Sequence, residues 1–144
     1  MERFPQSGSY TAPRLAHARV GDAMRHGIFS APASTSLREA ARTMSTHHIH
    51  AVLVSDPATG SMSAILTDRE LLAALLDGDG ERLLGEVEAR ALDTISSSEP
   101  LLPAAELMRE RGISHLVVRD ADSGQPTGML STFDVLGVLA WGEA

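Results

Sequence analysis

Several residue types are missing from this chain of 144 residues, and each absence excludes a kind of chemistry. The sequence contains no cysteine, no lysine and no asparagine. It therefore has no disulfide framework, no thiol nucleophile, no Schiff-base amine and no P-loop lysine. No apolar run approaches the roughly 20 residues that span a bilayer, and residues 1–19 lack the apolar core of a secretory signal. We therefore expect a soluble, cytoplasmic protein.

Charge and composition exclude further functions. Twelve arginines face 19 aspartates and glutamates, which gives a formal net charge of −7. Such an acidic balance does not favour broad attraction to a nucleic-acid backbone, so any phosphate site must be local. Residues 1–17 are rich in proline, serine, glycine and alanine and have no hydrophobic period, which is typical of a flexible tail. No motif of a serine or metal hydrolase is present, and we do not expect an enzyme.

The chain repeats itself with a period of 64 residues. Residues 20–75 align with residues 84–139 without a gap, and 13 of the 56 aligned pairs are identical, among them Gly21/Gly85, Ala40/Ala104, Met44/Met108 and Gly60/Gly124. A fixed period of this kind indicates two copies of one structural unit. We therefore expect Ala40 and Ala104 to be buried alike, and Met44 and Met108 likewise.

Each repeat is predicted to contain two helices and a hairpin. Apolar residues at helical spacing mark the first helix near 37–44 and 101–108, and Ser36 with Glu39 has capping-box spacing. Short apolar runs around turn residues predict hairpins at 51–54 with 64–66 and at 116–118 with 128–130, followed by helices near 71–76 and 135–139. A short strand is expected near 28–31 and near 94–96.

The predicted fold class is therefore α/β. Two β-α-β-β-α repeats, residues 18–77 and 78–144, should pack sheet to sheet with pseudo-twofold symmetry, because neither repeat can cover its sheet alone. The cleft between them is the expected ligand site.

The order of the motifs resembles a known family. The first copy comprises Met44 and the segments 48–56 and 65–71, and the second comprises Met108 and the segments 112–120 and 128–136. This order resembles the cystathionine-beta-synthase (CBS) domain, twice, over residues 18–141. The resemblance implies a tandem CBS pair, or stand-alone Bateman module. It implies a regulatory module that senses AMP, ADP or ATP, or another adenosyl ligand such as S-adenosylmethionine or NAD, and signals to a separate protein partner.

The resemblance also implies a set of ligand-binding residues. In the family, a Thr or Ser hydroxyl and nearby helix N–H groups contact phosphate, and an Asp three residues later accepts hydrogen bonds from ribose. The implied residues are Ser131, Thr132, Asp134, His115, Ser114, Thr94 and Ile95 in the second repeat, and Thr67, Glu70, Arg69, His50, Ala51 and Phe29 in the first. Arg111 is a further candidate for phosphate.

Two features weigh against a simple transfer of these roles. The first repeat departs from the motif, with Ala64 in place of Gly and Glu70 in place of Asp, so the second repeat is favoured. In addition, Ser131 with Asp134 has the spacing of a helix capping box, which needs no ligand to explain it.

An alternative hypothesis is a dimeric interaction or scaffolding protein that binds no nucleotide. His47 and His48 are adjacent at a predicted helix end and point in different directions, and His48 and His50 share a face only if both lie on a strand, so no metal site within one chain is expected. Zinc is considered only as an ion bound by histidines across an interface. Apolar helix residues beyond one inner stripe predict a homodimer on either hypothesis: Ala73, Ala74, Leu76, Val138 and Trp141.

Overall fold

The computed structural model describes residues 16–78 and 80–142, so most of the predicted tail, residues 1–15, lies outside the described residues. The helices within these ranges are α1 (Val20–Ala23), α2 (Leu37–His47), α3 (Asp68–Asp77), a 3-10 helix (Leu84–Glu86), α4 (Leu101–Arg111) and α5 (Thr132–Trp141). The strands are β1 (Arg25–His26), β2 (Ser30–Pro32), β3 (Ala51–Ser55), β4 (Met62–Thr67), β5 (Arg90–Ala91), β6 (Thr94–Ser96), β7 (His115–Arg119) and β8 (Pro126–Ser131). Of the helices in the described residues, none has both the length and the apolar character that crossing a membrane requires.

The chain divides into two compact units that do not follow the sequence repeat. The continuous unit is Ile28–Leu92, and the discontinuous unit joins residues 16–27 to residues 93–142. The segment that opens the first repeat therefore packs with the body of the second. The segment that opens the second repeat packs with the body of the first. The predicted repeats, 18–77 and 78–144, are defined by their order along the chain. The two units are defined by which residues pack together.

The continuous unit is built on a four-stranded sheet in the order β2-β3-β4-β5. Strands β2 and β3 are parallel, and β3 and β4 form the predicted antiparallel hairpin. Its turn is fixed by Asp56, whose carboxylate accepts the Ala58 N–H at 2.8 Å, and by Gly60 at φ 72°. Leu37, Ala40 and Met44 of α2 pack with Leu71 of α3 in the core of this unit.

The discontinuous unit has a four-stranded sheet in the equivalent order β1-β8-β7-β6. Strands β6 and β7 are parallel, β7 and β8 are antiparallel, and β1 pairs antiparallel with β8. In the turn of the hairpin, Asp120 accepts the N–H groups of Ser123 and Asp122 at 2.9 and 3.1 Å. These hydrogen bonds, from Ser123 above all, lower the pKa of Asp120 because they favour the ionised carboxylate.

The predicted equivalence of the repeats is confirmed. Ala40, Ala104, Met44 and Met108 are all buried, each pair in the core of its own unit. The backbone repeats as well, because the Val20 N–H donates to Glu99 O and the Leu84 N–H donates to Thr35 O, both at 2.8 Å, and each pair of counterparts is 64 residues apart. The strands expected near 28–31 and 94–96 are present as β2 and β6.

The prediction of surplus apolar helix surface is wrong at two positions. Ala74 and Val138 are buried, since they lie three residues after Leu71 and Val135 on the inner faces of α3 and α5. Ala73, Leu76 and Trp141 are exposed as expected. Further apolar side chains are exposed on the same two helices: Leu72, Phe133, Leu136 and Leu139.

Helices α2 and α4 are followed by different residues that adopt the same backbone conformation. The C-cap residue that follows α4 is Gly112, with φ 63° and ψ 33°, and the C-cap residue that follows α2 is His48, with φ 54° and ψ 45°. This left-handed conformation is the usual helix C-terminal cap, and it suits glycine because a Cβ atom is unfavourable there.

His48→Gly should therefore stabilise the protein. Removing the side chain from the left-handed conformation should stabilise the folded protein by about 1–2 kcal/mol. The greater freedom of glycine in the unfolded chain should offset about 0.4–1 kcal/mol of this. The expected net gain in the free energy of unfolding is therefore roughly 0.5–1 kcal/mol. Urea denaturation would measure it as a higher midpoint. Gly112→Ala is the matched control and should lower the midpoint; a lower midpoint for His48→Gly would contradict the argument.

Candidate functional site

The helix cap predicted at the start of α5 is fully formed. The Ser131 hydroxyl accepts the Asp134 N–H at 3.2 Å, and one carboxylate oxygen of Asp134, Oδ2, accepts the Ser131 N–H at 2.8 Å. The Thr132 N–H is also occupied, because it donates to the carbonyl oxygen of Ser114 at 3.0 Å. The first turn of the helix is thus held both by its own cap and by the residue that precedes β7.

The second carboxylate oxygen of Asp134 faces an arginine on the edge strand. Asp134 Oδ1 lies 3.6 Å from Arg25 Nε, and the Asp134 side chain is only 9% exposed. This distance is longer than the 2.7–2.9 Å, approximately, of a charge-assisted hydrogen bond. Oδ1 is therefore compensated by a positive charge and still has capacity to accept a hydrogen bond.

The start of α3 repeats this arrangement in the continuous unit. Glu70 Oε2 accepts the Thr67 N–H at 3.1 Å, and the Asp68 N–H donates to His50 O at 2.9 Å. Glu70 Oε1 lies 3.4 Å from Arg90 Nε. That oxygen is buried and makes no hydrogen bond with the described residues, which is unusual for a buried acceptor. It is a candidate for a ligand hydroxyl.

The other residues nominated in the second repeat lie near the start of α5. His115 begins β7 and pairs with Ser131 across the β7–β8 ladder, while the Ser114 hydroxyl is 2.9 Å from His115 Nδ1. Thr94 and Ile95 lie on β6, paired with the residues two and three positions after His115. The discontinuous unit therefore brings all its nominated residues to one region of its sheet.

Among the other residues nominated in the first repeat, His50 makes a contact with Asp68 that the sequence did not predict. Ala51 pairs with Thr67 at the equivalent point of β3 and β4, and Phe29 O accepts the Leu53 N–H at 2.9 Å beside β2. Arg69 is exposed on α3. His50 Nδ1 lies 3.2 Å from Asp68 Oδ2, so this imidazole already contacts a carboxylate at the helix start.

Arg111, the further candidate for phosphate, is also engaged. Its Nη1 donates to Asp93 Oδ1 at 2.6 Å. The described residues include no group of three or more histidine, aspartate or glutamate side chains arranged to hold a metal ion.

The sequence matches a family model twice. The model, described as the CBS domain, covers residues 20–77 and residues 79–140. The chain therefore belongs to the CBS domain family, and its two four-stranded sheets match those of tandem CBS pairs.

Two curated relatives place the match in larger proteins. The chain is 31% identical over 125 residues to the 5'-AMP-activated protein kinase subunit gamma-3 of Bos taurus, covering 78% of this chain and 25% of that protein. It is 37% identical over 114 residues to homoserine O-acetyltransferase of Methanocorpusculum labreanum, covering 78% of this chain and 22% of that protein. The chain thus spans about a quarter of these relatives.

Solved structures share the fold. The CBS domain pair of protein MJ0100, in complex with 5'-methylthioadenosine and S-adenosyl-L-methionine, has a TM-score of 0.73 at 24% identity, covering 85% of this chain and 99% of that one. A CBS domain protein of Pyrobaculum aerophilum complexed with AMP has a TM-score of 0.72 at 22% identity, covering 85% and 99%. The CBS domain of a bacterial CNNM/CorC family Mg2+ transporter in complex with ATP has a TM-score of 0.75 at 14% identity, covering 90% and 92%.

The structure explains why the two repeats differ at the glycine of the family motif. A Cβ atom on Gly128 would collide with the carbonyl oxygen of Arg25 and would lie 2.6 Å from Met24 Cε, because β1 packs directly against β8. Ala64 faces Ala91 on β5, where the alanine is accommodated. The departure at Ala64 therefore reflects a difference in strand packing between the two units.

Gly128→Ala should displace β1. Forcing a methyl group into this contact should cost about 1–3 kcal/mol. It should also increase hydrogen exchange at the Gly27 amide, which donates to Thr127 O at 2.8 Å. Ala64→Gly is the matched control and should cost only about 0.5–1 kcal/mol through strand flexibility, with no change in exchange at Gly27. Unchanged protection of Gly27 in Gly128→Ala would show that the contact is not a constraint.

Proposed function

We propose that this CBS pair is a regulatory module that binds an adenine nucleotide, AMP, ADP or ATP, and signals its occupancy to a separate protein partner. The observation that carries the proposal is the shielded carboxylate of Asp134, held at the start of α5 beside a serine hydroxyl. The ligands named for the solved CBS structures, AMP, ATP, S-adenosyl-L-methionine and 5'-methylthioadenosine, share an adenosyl group, which supports this ligand class.

The chemistry of the site suits a ribose and a phosphate. A carboxylate can accept hydrogen bonds from two neighbouring hydroxyls, and the N-terminus of a helix attracts an anion through its dipole. The proposed contacts in the discontinuous unit are Ser131, Thr132, Asp134, His115, Ser114, Thr94 and Ile95. Those in the continuous unit are Thr67, Glu70, Arg69, His50, Ala51 and Phe29.

The capping role of Asp134 is compatible with ligand binding because its two oxygens have different partners. Oδ2 is committed to the Ser131 N–H, whereas Oδ1 lies at 3.6 Å from Arg25 Nε and retains acceptor capacity. In the continuous unit, the buried Oε1 of Glu70 has no hydrogen bond among the described residues, and a ribose hydroxyl would supply one. Both units therefore offer an acceptor for ribose.

A second function, homodimerisation, is favoured by the exposed faces of α3 and α5. Helix α5 has Asp134 as its one charged residue, and its outer face exposes Phe133 (65%), Leu136 and Leu139. Helix α3 exposes Leu72 and Leu76 (77%). A helix that is apolar all round is usually covered, and contiguous exposed apolar residues mark an interface. We propose that a second copy of the chain covers these faces, whether the module binds nucleotide or serves only as a scaffold.

Asp134→Ala separates capping from ligand binding. Loss of the cap alone should lower the free energy of unfolding by about 0.5–2 kcal/mol and leave AMP affinity unchanged. Loss of a ribose acceptor should also weaken AMP binding by about 1.5–3 kcal/mol, or roughly ten- to hundredfold, in calorimetry. We expect the second result.

Ser36→Ala is the matched control for Asp134→Ala. The Ser36 hydroxyl caps α2 by accepting the Glu39 N–H at 3.1 Å, so its removal should cost similar stability with no effect on AMP. Glu70→Ala tests the continuous unit in the same way. Equal AMP affinities for the wild-type protein and Asp134→Ala would end the proposal that this carboxylate holds the ribose.

Leu136→Glu should disrupt the proposed dimer. The wild-type chain should be dimeric at micromolar concentration in light scattering, and a charge in the interface should weaken association by at least about tenfold. Leu102→Glu is a matched control, since Leu102 is an exposed leucine on α4 and should tolerate the change. A wild-type monomer at micromolar concentration would contradict the proposal.

A further inference from the structure

Two arginines occupy the same position in the two units although the sequence period does not pair them. Arg25 on β1 lies opposite Met129 of β8, and Arg90 on β5 lies opposite Ile65 of β4. Met129 and Ile65 are 64 residues apart, as the repeat requires, whereas Arg25 and Arg90 are 65 apart. The spatial position of the arginine is therefore maintained even where the spacing along the chain changes.

Each arginine contacts the carboxylate that we assign to ribose binding. Arg25 Nε lies 3.6 Å from Asp134, and Arg90 Nε lies 3.4 Å from Glu70. The two carboxylates differ in length by one methylene, and the contact is nevertheless of the same kind. The arginine side chains are 66% and 54% exposed, so these ion pairs contribute little to stability. Stability alone is a weak explanation for a positive charge at both places.

The guanidinium groups have unused donors. Arginine carries five N–H donors, and here the Nε side faces the carboxylate. Among the described residues, neither Arg25 nor Arg90 makes another side-chain hydrogen bond or ion pair. Arg111 differs, because its guanidinium is already bound to Asp93 at 2.6 Å. In a chain with a net charge of −7 and no lysine, these two side chains supply local positive charge beside the proposed ribose acceptors.

We propose that Arg25 and Arg90 select the ligand by charge, so that the sites prefer an adenine nucleotide bearing a phosphate over uncharged adenosine. The inference rests on the proposed function and adds the charge of the ligand to it. An anion next to a guanidinium gains Coulomb energy and fork-like hydrogen bonds, whereas the ribose contacts are common to AMP and adenosine.

The test compares AMP with adenosine by calorimetry in Arg25→Gln, Arg90→Gln and the double variant. Each single change should weaken AMP binding at its own site by about three- to tenfold, with adenosine affected less than about twofold. The affinity of the wild-type protein for AMP should fall as salt is raised, and that dependence should be smaller in the double variant. Lysine in place of each arginine should restore part of the preference for AMP, because it keeps the charge.

Arg109→Gln is the matched control, since Arg109 is an exposed arginine of α4 for which no carboxylate partner occurs among the described residues. It should change neither affinity. Equal losses of AMP and adenosine affinity in the Arg25→Gln and Arg90→Gln variants, or no loss of AMP affinity, would overturn the proposed selection by charge. Neither result would change the expected effect of Asp134→Ala, so the proposed function would stand. Absence of binding of both AMP and adenosine to the wild-type protein would remove the proposed function and this inference together.

Discussion

The reciprocal exchange of short segments between the two repeats is the interaction on which the rest of the structure depends. Two backbone hydrogen bonds of 2.8 Å, from Val20 to Glu99 and from Leu84 to Thr35, anchor the opening segment of each repeat to the body of the other. The strands that follow, β1 and β5, then close the free edges of β8 and β4. Because an unpaired edge exposes backbone donors and acceptors, the exchange pairs two residues of each of these edges and adds the fourth strand to each sheet. The close packing of β1 against β8 also requires glycine at position 128, because a Cβ atom there would collide with the Arg25 carbonyl oxygen.

Most of the fold could be predicted because the information is local and repeated. The apolar stripe of α2 and α4, the turns at Asp56 and Asp120 and the cap at Ser131 each depend on residues within a few positions of one another. Each predicted element also occurs a second time 64 residues away, which supports the prediction of both copies. The same locality made the capping box at Ser131 and Asp134 visible, while leaving its role in ligand binding undecided, since capping and anion binding use the same end of a helix.

The segment exchange could not be predicted in the same way. Its hydrogen bonds join backbone atoms of residues far apart in the chain, and backbone atoms carry no sequence signal. The contacts of Arg25 and Arg90 with the carboxylates were missed because the two arginines are offset by one residue from the repeat. Ala74 and Val138 were misplaced because α3 and α5 are apolar on both faces, so that sequence alone does not separate the inner stripe from the outer one.

The exchange also connects each proposed ligand-binding carboxylate with a strand from the other repeat. Asp134 is joined through Oδ2 to the start of α5 and through Oδ1 to Arg25 on β1, which belongs to the opening segment of the other repeat. Glu70 is joined in the same manner to Thr67 and to Arg90. A ribose hydroxyl at either carboxylate would alter its contact with the arginine, because both would share one oxygen. Occupancy of each site would therefore act first on an edge strand, which is held by two residues of pairing and is the least secured part of its sheet.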